Sequence, residues 1–147
     1  MSAHGWTGAA PILKVRDLTA SLAYYVDALG FHVDWRMGEI ACVRREETCL
    51  LLCTGDQTAG PTWVWIGVGD AAALHEPLMA SGAIVRHAPT NYEWGMELQV
   101  ADPDGNVLRL GSSPRTGEPF GEWLDAGGRR WKQDADGKWA PVTGDAS

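Results

Sequence analysis

Pro11-Ile12-Leu13-Lys14-Val15-Arg16-Asp17 leads into Leu18 to Leu29 and then Gly30-Phe31; Thr62-Trp63-Val64-Trp65-Ile66-Gly67-Val68-Gly69-Asp70 leads into Ala71 to Ser81 and then Gly82-Ala83. The two stretches are one pattern written twice, with the aspartates 53 positions apart and the glycines 52. Each opens on alternating apolar residues, the mark of a half-buried strand. Each reaches an Asp able to cap the orphan N–H groups of a helix start. Each closes on a Gly suited to the left-handed position after a helix end. The first helix carries a stripe of Leu18, Leu22, Tyr25, Val26 and Leu29, which predicts an amphipathic helix against a sheet. The second carries only Ala71, Leu74 and Leu78, and Pro77 removes an N–H within it. A kink or a helix in two pieces is expected there.

A hairpin follows each unit. Ile40 to Arg45 and Thr48 to Cys53 flank Glu46-Glu47; Met96 to Ala101 and Asn106 to Leu110 flank Asp102-Pro103-Asp104-Gly105. Pro presets φ and Gly accepts positive φ, so the second loop is a turn with a mechanism. With strands at Phe31 to Arg36 and Ala83 to His87, each unit becomes βαβββ. The fold class is therefore α+β: two tandem βαβββ modules, about 8–56 and 61–112, forming a curved mixed sheet with helices on its convex side. Ala59-Gly60-Pro61 reads as their linker. After Ser113-Pro114 the composition shifts, so the paired domain is taken as 1–114 and a C-terminal extension as 115–147. Within the extension, Arg129 to Gln133 and Lys138 to Val142, around Asp134-Ala135-Asp136-Gly137, predict a β-hairpin.

The 147 residues include 19 acids and 12 bases, a net charge of -7. Residues 1–114 hold 13 of the acids and 7 of the bases. That balance opposes wrapping nucleic acid or docking on anionic membranes, and it favours a cationic small molecule, although solubility alone also accounts for it. The stretch Met1 to Gly8 has neither the basic nor the apolar part of a signal peptide, and no apolar run is long enough to span a bilayer. Cys42, Cys49 and Cys53 cannot all pair within the chain. These features together predict a cytoplasmic protein. The eight tryptophans against two phenylalanines stand out, because Trp is favoured where a flat amphipathic ring meets a ligand or a partner.

Period-two alternation sorts the strand residues. Val64, Ile66, Val68, Leu98, Val100, Leu108 and Leu110 fall on the helix side. Trp63, Trp65, Lys14, Glu97, Gln99 and Arg109 fall on the concave side, an aromatic wall with a few polar anchors. That is the make-up of a small-molecule pocket. A subunit interface or a surface covered by the C-terminal extension is the alternative use of the same tryptophans. No histidine pair among His4, His32, His75 and His87 has ligand spacing, and Cys49 and Cys53 lie about 13 Å apart along a strand.

The paired βαβββ pattern, Val15-Arg16-Asp17, Tyr24-Tyr25, Leu29-Gly30-Phe31 and Asp102-Pro103-Asp104-Gly105-Asn106 together resemble the vicinal-oxygen-chelate superfamily. That group includes glyoxalase I, extradiol dioxygenases, fosfomycin-resistance enzymes and bleomycin-resistance proteins. The stretch Cys42-Val43-Arg44-Arg45-Glu46-Glu47, the Trp63-Val64-Trp65 strand and Trp94-Gly95 are most similar to the bleomycin-resistance branch. The resemblance spans about residues 8–112. The enzymes of the superfamily hold a divalent metal at four positions, which here correspond to Ala10, Leu51, Trp63 and Arg109. None is an ordinary ligand, since Ala and Leu have no donor atom, an indole N–H only donates and Arg is a fixed cation. The resemblance thus implies no metal, no cofactor and no catalytic residue. It implies a homodimeric protein that binds and sequesters a planar, cationic, antibiotic-like molecule through Trp35, Trp63, Trp65, Trp94, Glu97, Gln99 and Arg109. A lyase or dioxygenase with displaced ligands, or a protein-interaction module, is the alternative on the same fold.

Overall fold

The computed structural model describes residues 3–143. Strand β1 (Ile12–Lys14) and helix α1 (Leu18–Asp27) are followed by β2 (His32–Met37), β3 (Ile40–Arg45) and β4 (Thr48–Cys53). The second module repeats the order with β5 (Trp63–Gly67), a 3-10 turn (Ala72–Leu74) leading into α2 (His75–Ala80), then β6 (Ile84–Tyr92), β7 (Gly95–Ala101) and β8 (Val107–Ser112). The strand orders match: β1-β4-β3-β2 in the first module and β5-β8-β7-β6 in the second. In each, the first strand runs parallel to the last and the remaining pairs are antiparallel. The α+β architecture of tandem βαβββ modules is therefore present as read from the repeat.

Local chemistry explains the joints. The Asp17 side chain accepts from Ala20 N at 3.0 Å and caps α1. Gly30 and Gly82 hold φ of 75° and 92° after the two helices. Glu46, at φ 52°, takes the left-handed corner of the tight β3–β4 turn. The second helix is indeed in two pieces, but the break comes at His75 rather than at Pro77. Pro77 sits in the first turn of α2, where its missing N–H has no intrahelical partner to lose.

Two expectations need correction and a third is extended. Val26 is 37% exposed and lies outside the buried stripe of Leu18, Leu22 and Tyr25. Strand β6 runs on to Tyr92, through Pro89; two register shifts against β7 open the ladder between Val85 and Thr90 and accommodate the missing N–H. The hairpin read in the C-terminal extension is present as β10 (Arg130–Gln133) and β11 (Trp139–Pro141), and β9 (Trp123–Leu124) joins it as a third strand. A two-residue strand carries no periodic signal. Residues 144–147 of the extension lie outside the described residues.

One core joins the two modules. Leu13, Leu22, Tyr25 and Val43 of the first cluster with Leu78, Leu98, Val100 and Leu108 of the second. The helix sides of both sheets therefore face a shared interior, and their opposite faces are left for other uses. Polar bonds stitch the seam. Tyr25 OH donates to Asp102 Oδ2 at 3.0 Å, Tyr24 OH to Ala101 O at 2.6 Å and Asn106 Nδ2 to Lys14 O at 2.8 Å. Asp102 also accepts from Asp104 N and Asn106 N, each at 2.9 Å, which shapes the Asp-Pro-Asp-Gly turn. Among the described residues no helix is long and apolar enough to cross a membrane.

Because Tyr25 is fully buried, Tyr25→Phe should cost about 1–2 kcal/mol by leaving a carboxylate oxygen with one donor fewer. A urea titration should show a lower midpoint with an unchanged slope.

A tryptophan-lined cleft between the second module and the C-terminal sheet

On the face of the second sheet that points away from α2, the ladder registers Trp65 with Arg109, Arg109 with Gln99, and Gln99 with His87. The adjacent row holds Gly67, Gly111, Glu97 and Thr90. Two glycines in one row have a cause. A Cβ on Gly111 would stand 2.7 Å from Trp65 Nε1, and one on Gly67 would stand 3.2 Å from the same indole. The Trp65 ring therefore lies flat along the sheet over residues without side chains, with 58% of the residue exposed.

Glu97 is 2% exposed. Its two oxygens accept from Arg109 Nε at 2.9 Å and Arg109 Nη2 at 3.0 Å, a two-point grip that only a guanidinium supplies. Trp94 Nε1 adds a third donor at 2.6 Å. This triad fixes both neighbours. Trp94 stacks face to face on Tyr92, with centroids 4.8 Å apart and planes 4° from parallel. The Arg109 guanidinium lies 4.9 Å from the centre of the Trp123 ring.

Trp123 belongs to the extension, and the extension is bonded down on β6 and β7. Gln99 Nε2 donates to Leu124 O at 2.9 Å, Tyr92 OH to Glu122 O at 2.8 Å and Gly121 N to Asn91 O at 2.9 Å. Asn91 Nδ2 also donates to the carbonyls of Arg115 and Glu118. Arg86, displaced by the β6 irregularity, donates to Gln99 Oε1 and to the Leu124 and Asp125 carbonyls, and its guanidinium lies 5.2 Å from the centre of the Trp63 ring. A Cβ on Gly121 would come within 2.4 Å of Thr90 Cγ2, so the chain passes where only glycine fits.

The extension then turns twice on the same device. Asp125 Oδ1 accepts from Arg129 N, and Asp134 Oδ1 from Lys138 N, while Gly128 and Gly137 take φ of 86° and 82°. Trp131 pairs with Trp123 across the β9–β10 ladder, and Trp139 lies one step along on β11, so the three rings share a face. Together with Trp94 and Arg109 they enclose a cleft of about 380 Å³. The N–H groups of Trp94 and Trp131 are both committed, the latter to Asp125 Oδ2 at 2.8 Å. The faces of these two rings are left for a guest.

The expected site residues therefore separate. Trp94 and Arg109 line the cleft. Glu97 and Gln99 lie beneath it, engaged by Arg109 and Trp94, and by Arg86 and Leu124. Trp63 packs 6.1 Å from Trp123, centre to centre. Trp65 lies open on the same sheet, and Trp35, 43% exposed, stands on β2 of the other module. Trp123, Trp131 and Trp139 of the extension, which lie outside the expected site residues, complete the cleft; their eight-residue spacing, in step with two hairpin turns, is the sequence signal for them. Tyr92 and Asn91, which seat the extension, gave no such signal.

Ala10, Leu51, Trp63 and Arg109 offer no ordinary metal-ligand atom. Leu51 pairs with Ile12, Trp63 is packed on Trp123, and Arg109 is a cation already held by a carboxylate. Among the described residues no three His, Cys, Asp or Glu side chains converge on one point.

His87 has its pKa lowered, chiefly by burial and further by Arg130 and Arg86, against an opposing contribution from the Ala88 carbonyl. With the folded value below the ordinary 6.5, protons bind the unfolded chain first. Stability is full above that ordinary value and falls as pH drops through it. Denaturation at pH 7.5 and 5.5 should show the loss, and His87→Gln should reduce it. Arg109→Met should cost about 3–5 kcal/mol by stranding the buried Glu97 carboxylate, measured by urea unfolding. Arg109→Met together with Glu97→Gln should recover part of that cost.

Comparison with known proteins identifies relatives of the paired modules. The bleomycin-binding protein of bleomycin-producing Streptomyces verticillus, solved with copper(II)-bleomycin, is 28% identical, with 76% of this chain and 98% of that one aligned and a TM-score of 0.61. A bleomycin resistance determinant encoded on the transposon Tn5 is 27% identical over 74% of this chain and 98% of that one, with a TM-score of 0.63. A glyoxalase-related enzyme from Fulvimarina pelagi, 21% identical, shares the fold over 92% of this chain and 98% of its own, with a TM-score of 0.57. No curated protein matches significantly. The profile of the glyoxalase/bleomycin resistance protein/dioxygenase superfamily matches residues 9–110, and the chain belongs to that superfamily.

Proposed function

We propose that this protein binds a planar, cationic, antibiotic-like small molecule and protects by sequestering it, without metal, cofactor or bond-making chemistry. The observation that carries this reading is the cleft of Trp94, Trp123, Trp131 and Trp139 over the Arg109–Glu97 pair. Indole faces attract flat rings and positive charge alike. The protein already puts guanidinium groups against three of its indoles, Trp63, Trp123 and Trp131. Arg109 does not repel a cation as a bare charge would, because Glu97 neutralises it at contact distance. The net charge of -7 raises the local concentration of a cationic guest. The likeness to two structures of bleomycin-binding proteins in complex with the drug, at 28% and 27% identity, supports the same class of ligand.

In this reading residues 1–114 form the binding domain and residues 115–147 an extension that walls the cleft. Trp63 holds Trp123 in place, Trp65 offers a second open ring beside the cleft, and Glu97 and Gln99 act from below by fixing Arg109 and Leu124. The working form is a cytoplasmic homodimer, in which the exposed Val33, Trp35 and Met37 of edge strand β2 are covered by the second subunit.

Tryptophan fluorescence titrated with metal-free bleomycin tests the proposal. Saturable quenching is expected, and Trp139→Ala should weaken binding by about tenfold or more, as for a ring at the centre of an interface. Absent quenching, or an affinity unchanged in Trp139→Ala and Trp131→Ala, would sink the assignment of the cleft.

A further inference from the structure

A second cavity lies on the opposite side of the same sheet, between the two modules. It measures about 290 Å³, and its walls include Leu74, Leu78, Val100 and Leu108, with Arg45, Glu46 and Thr48 at the rim. It shares no residue with the tryptophan cleft.

The internal repeat explains why it exists. Counting from the capping aspartates, Tyr25 of the first module corresponds to Leu78 of the second, Ser21 to Leu74 and Arg16 to Gly69; counting from the glycines that end the helices, Phe31 corresponds to Ala83. In the first module the space between helix and opposing hairpin is filled. The Tyr25 ring is fully buried and its hydroxyl donates to Asp102 on the β7–β8 turn, while Arg16 pairs with Asp104 of that turn at 2.8 Å. In the second module the corresponding hairpin is β3–β4, and Glu46 stands at its turn. The helix facing it offers an isobutyl group where the first offers a phenol, and Gly69 offers nothing where Arg16 offers a guanidinium. The helix is also shorter, six residues against ten, so Ile66 and Leu110 remain only partly covered. One half of the molecule thus contains a phenol and its carboxylate acceptor; the other contains a cavity lined by two carboxylates, Glu46 and Asp70, of which Asp70 is engaged by Arg115 and by Ala73 N.

We propose that this inter-module cavity is a binding site for a small aromatic molecule of phenol or indole size that carries one hydrogen-bond donor. The ring lies on Ile66, Leu74 and Leu110, beside the buried Leu78, and the donor reaches the rim at Glu46, as Tyr25 OH reaches Asp102 in the other half. The size is adequate, since an apolar cavity of roughly 150 Å³ stays dry and accepts benzene. Arg45 leaves the rim geometry fixed, because its Nη1 is bonded to Leu29 O at 2.8 Å. Tyrosine introduced at Leu78 is the internal mimic of the guest.

Methyl-resolved NMR of the full chain, titrated separately with phenol and indole, tests the site. Saturable shifts are expected at the methyls of Ile66, Leu74 and Leu110, and they should persist in Trp139→Ala, which separates this site from the tryptophan cleft. Leu78→Tyr should weaken phenol binding by at least about tenfold and raise the Tm. Leu78→Phe carries the same expectation and serves if the tyrosine variant does not fold. Shifts that fail to saturate with either probe, or binding of undiminished affinity in a folded Leu78→Tyr or Leu78→Phe variant, would overturn the proposal.

Discussion

A carboxylate removed from water must be held on several sides, and the Glu97 side chain is held by three donors from two residues, Arg109 and Trp94. Much of the tryptophan cleft follows from that requirement. Satisfying Glu97 pins Arg109 flat, and a flat guanidinium is a seat for Trp123. It also pins Trp94 by its N–H, which sets the ring parallel to Tyr92. Tyr92 in turn donates to the extension at Glu122. The chain of contacts runs from a single buried charge to the docking of a whole appended sheet.

The extension changes what the superfamily fold presents. The family match ends at residue 110, whereas three of the five residues around the cleft come from beyond it. The paired modules supply the floor, and the appended sheet supplies most of the wall. The two modules also diverge in their interiors. Both follow one strand-helix-strand pattern, yet the first helix fills its side with Tyr25 and the second leaves room beside Leu78. Duplication with drift has thus given two faces of one sheet different uses: packing and a cavity on the helix side, aromatic stacking on the other.

Much of this was legible in the residues. The Asp-to-Gly spacing, repeated, located both helices, and strict alternation in Trp63–Val68 and Leu98–Val100 put the correct side chains on the correct faces. Alternation works because one side of each strand meets a core and the other does not. The interior of β6 and the two-residue β9 were not legible: one runs through a proline, and the other is too short for any period. The partners of Glu97 and Gln99 were hidden for a different reason. Parity states which way a side chain points, but not whether a ligand or the protein itself meets it there.

The sequence by itself determined the fold class, the repeated strand-helix-strand pattern and the unusual stock of tryptophan. These are local or repeated features, and local chemistry governs them. Tertiary structure alone decided that the tryptophans of the extension would fold back over Arg109, and that a cavity would open where Leu78 replaces a tyrosine. Both depend on the placement of residues tens of positions apart, with Gln99 meeting Leu124 and the β3–β4 turn and the second helix lining one cavity. Such contacts are set by the packing of whole elements, which no window along the chain contains.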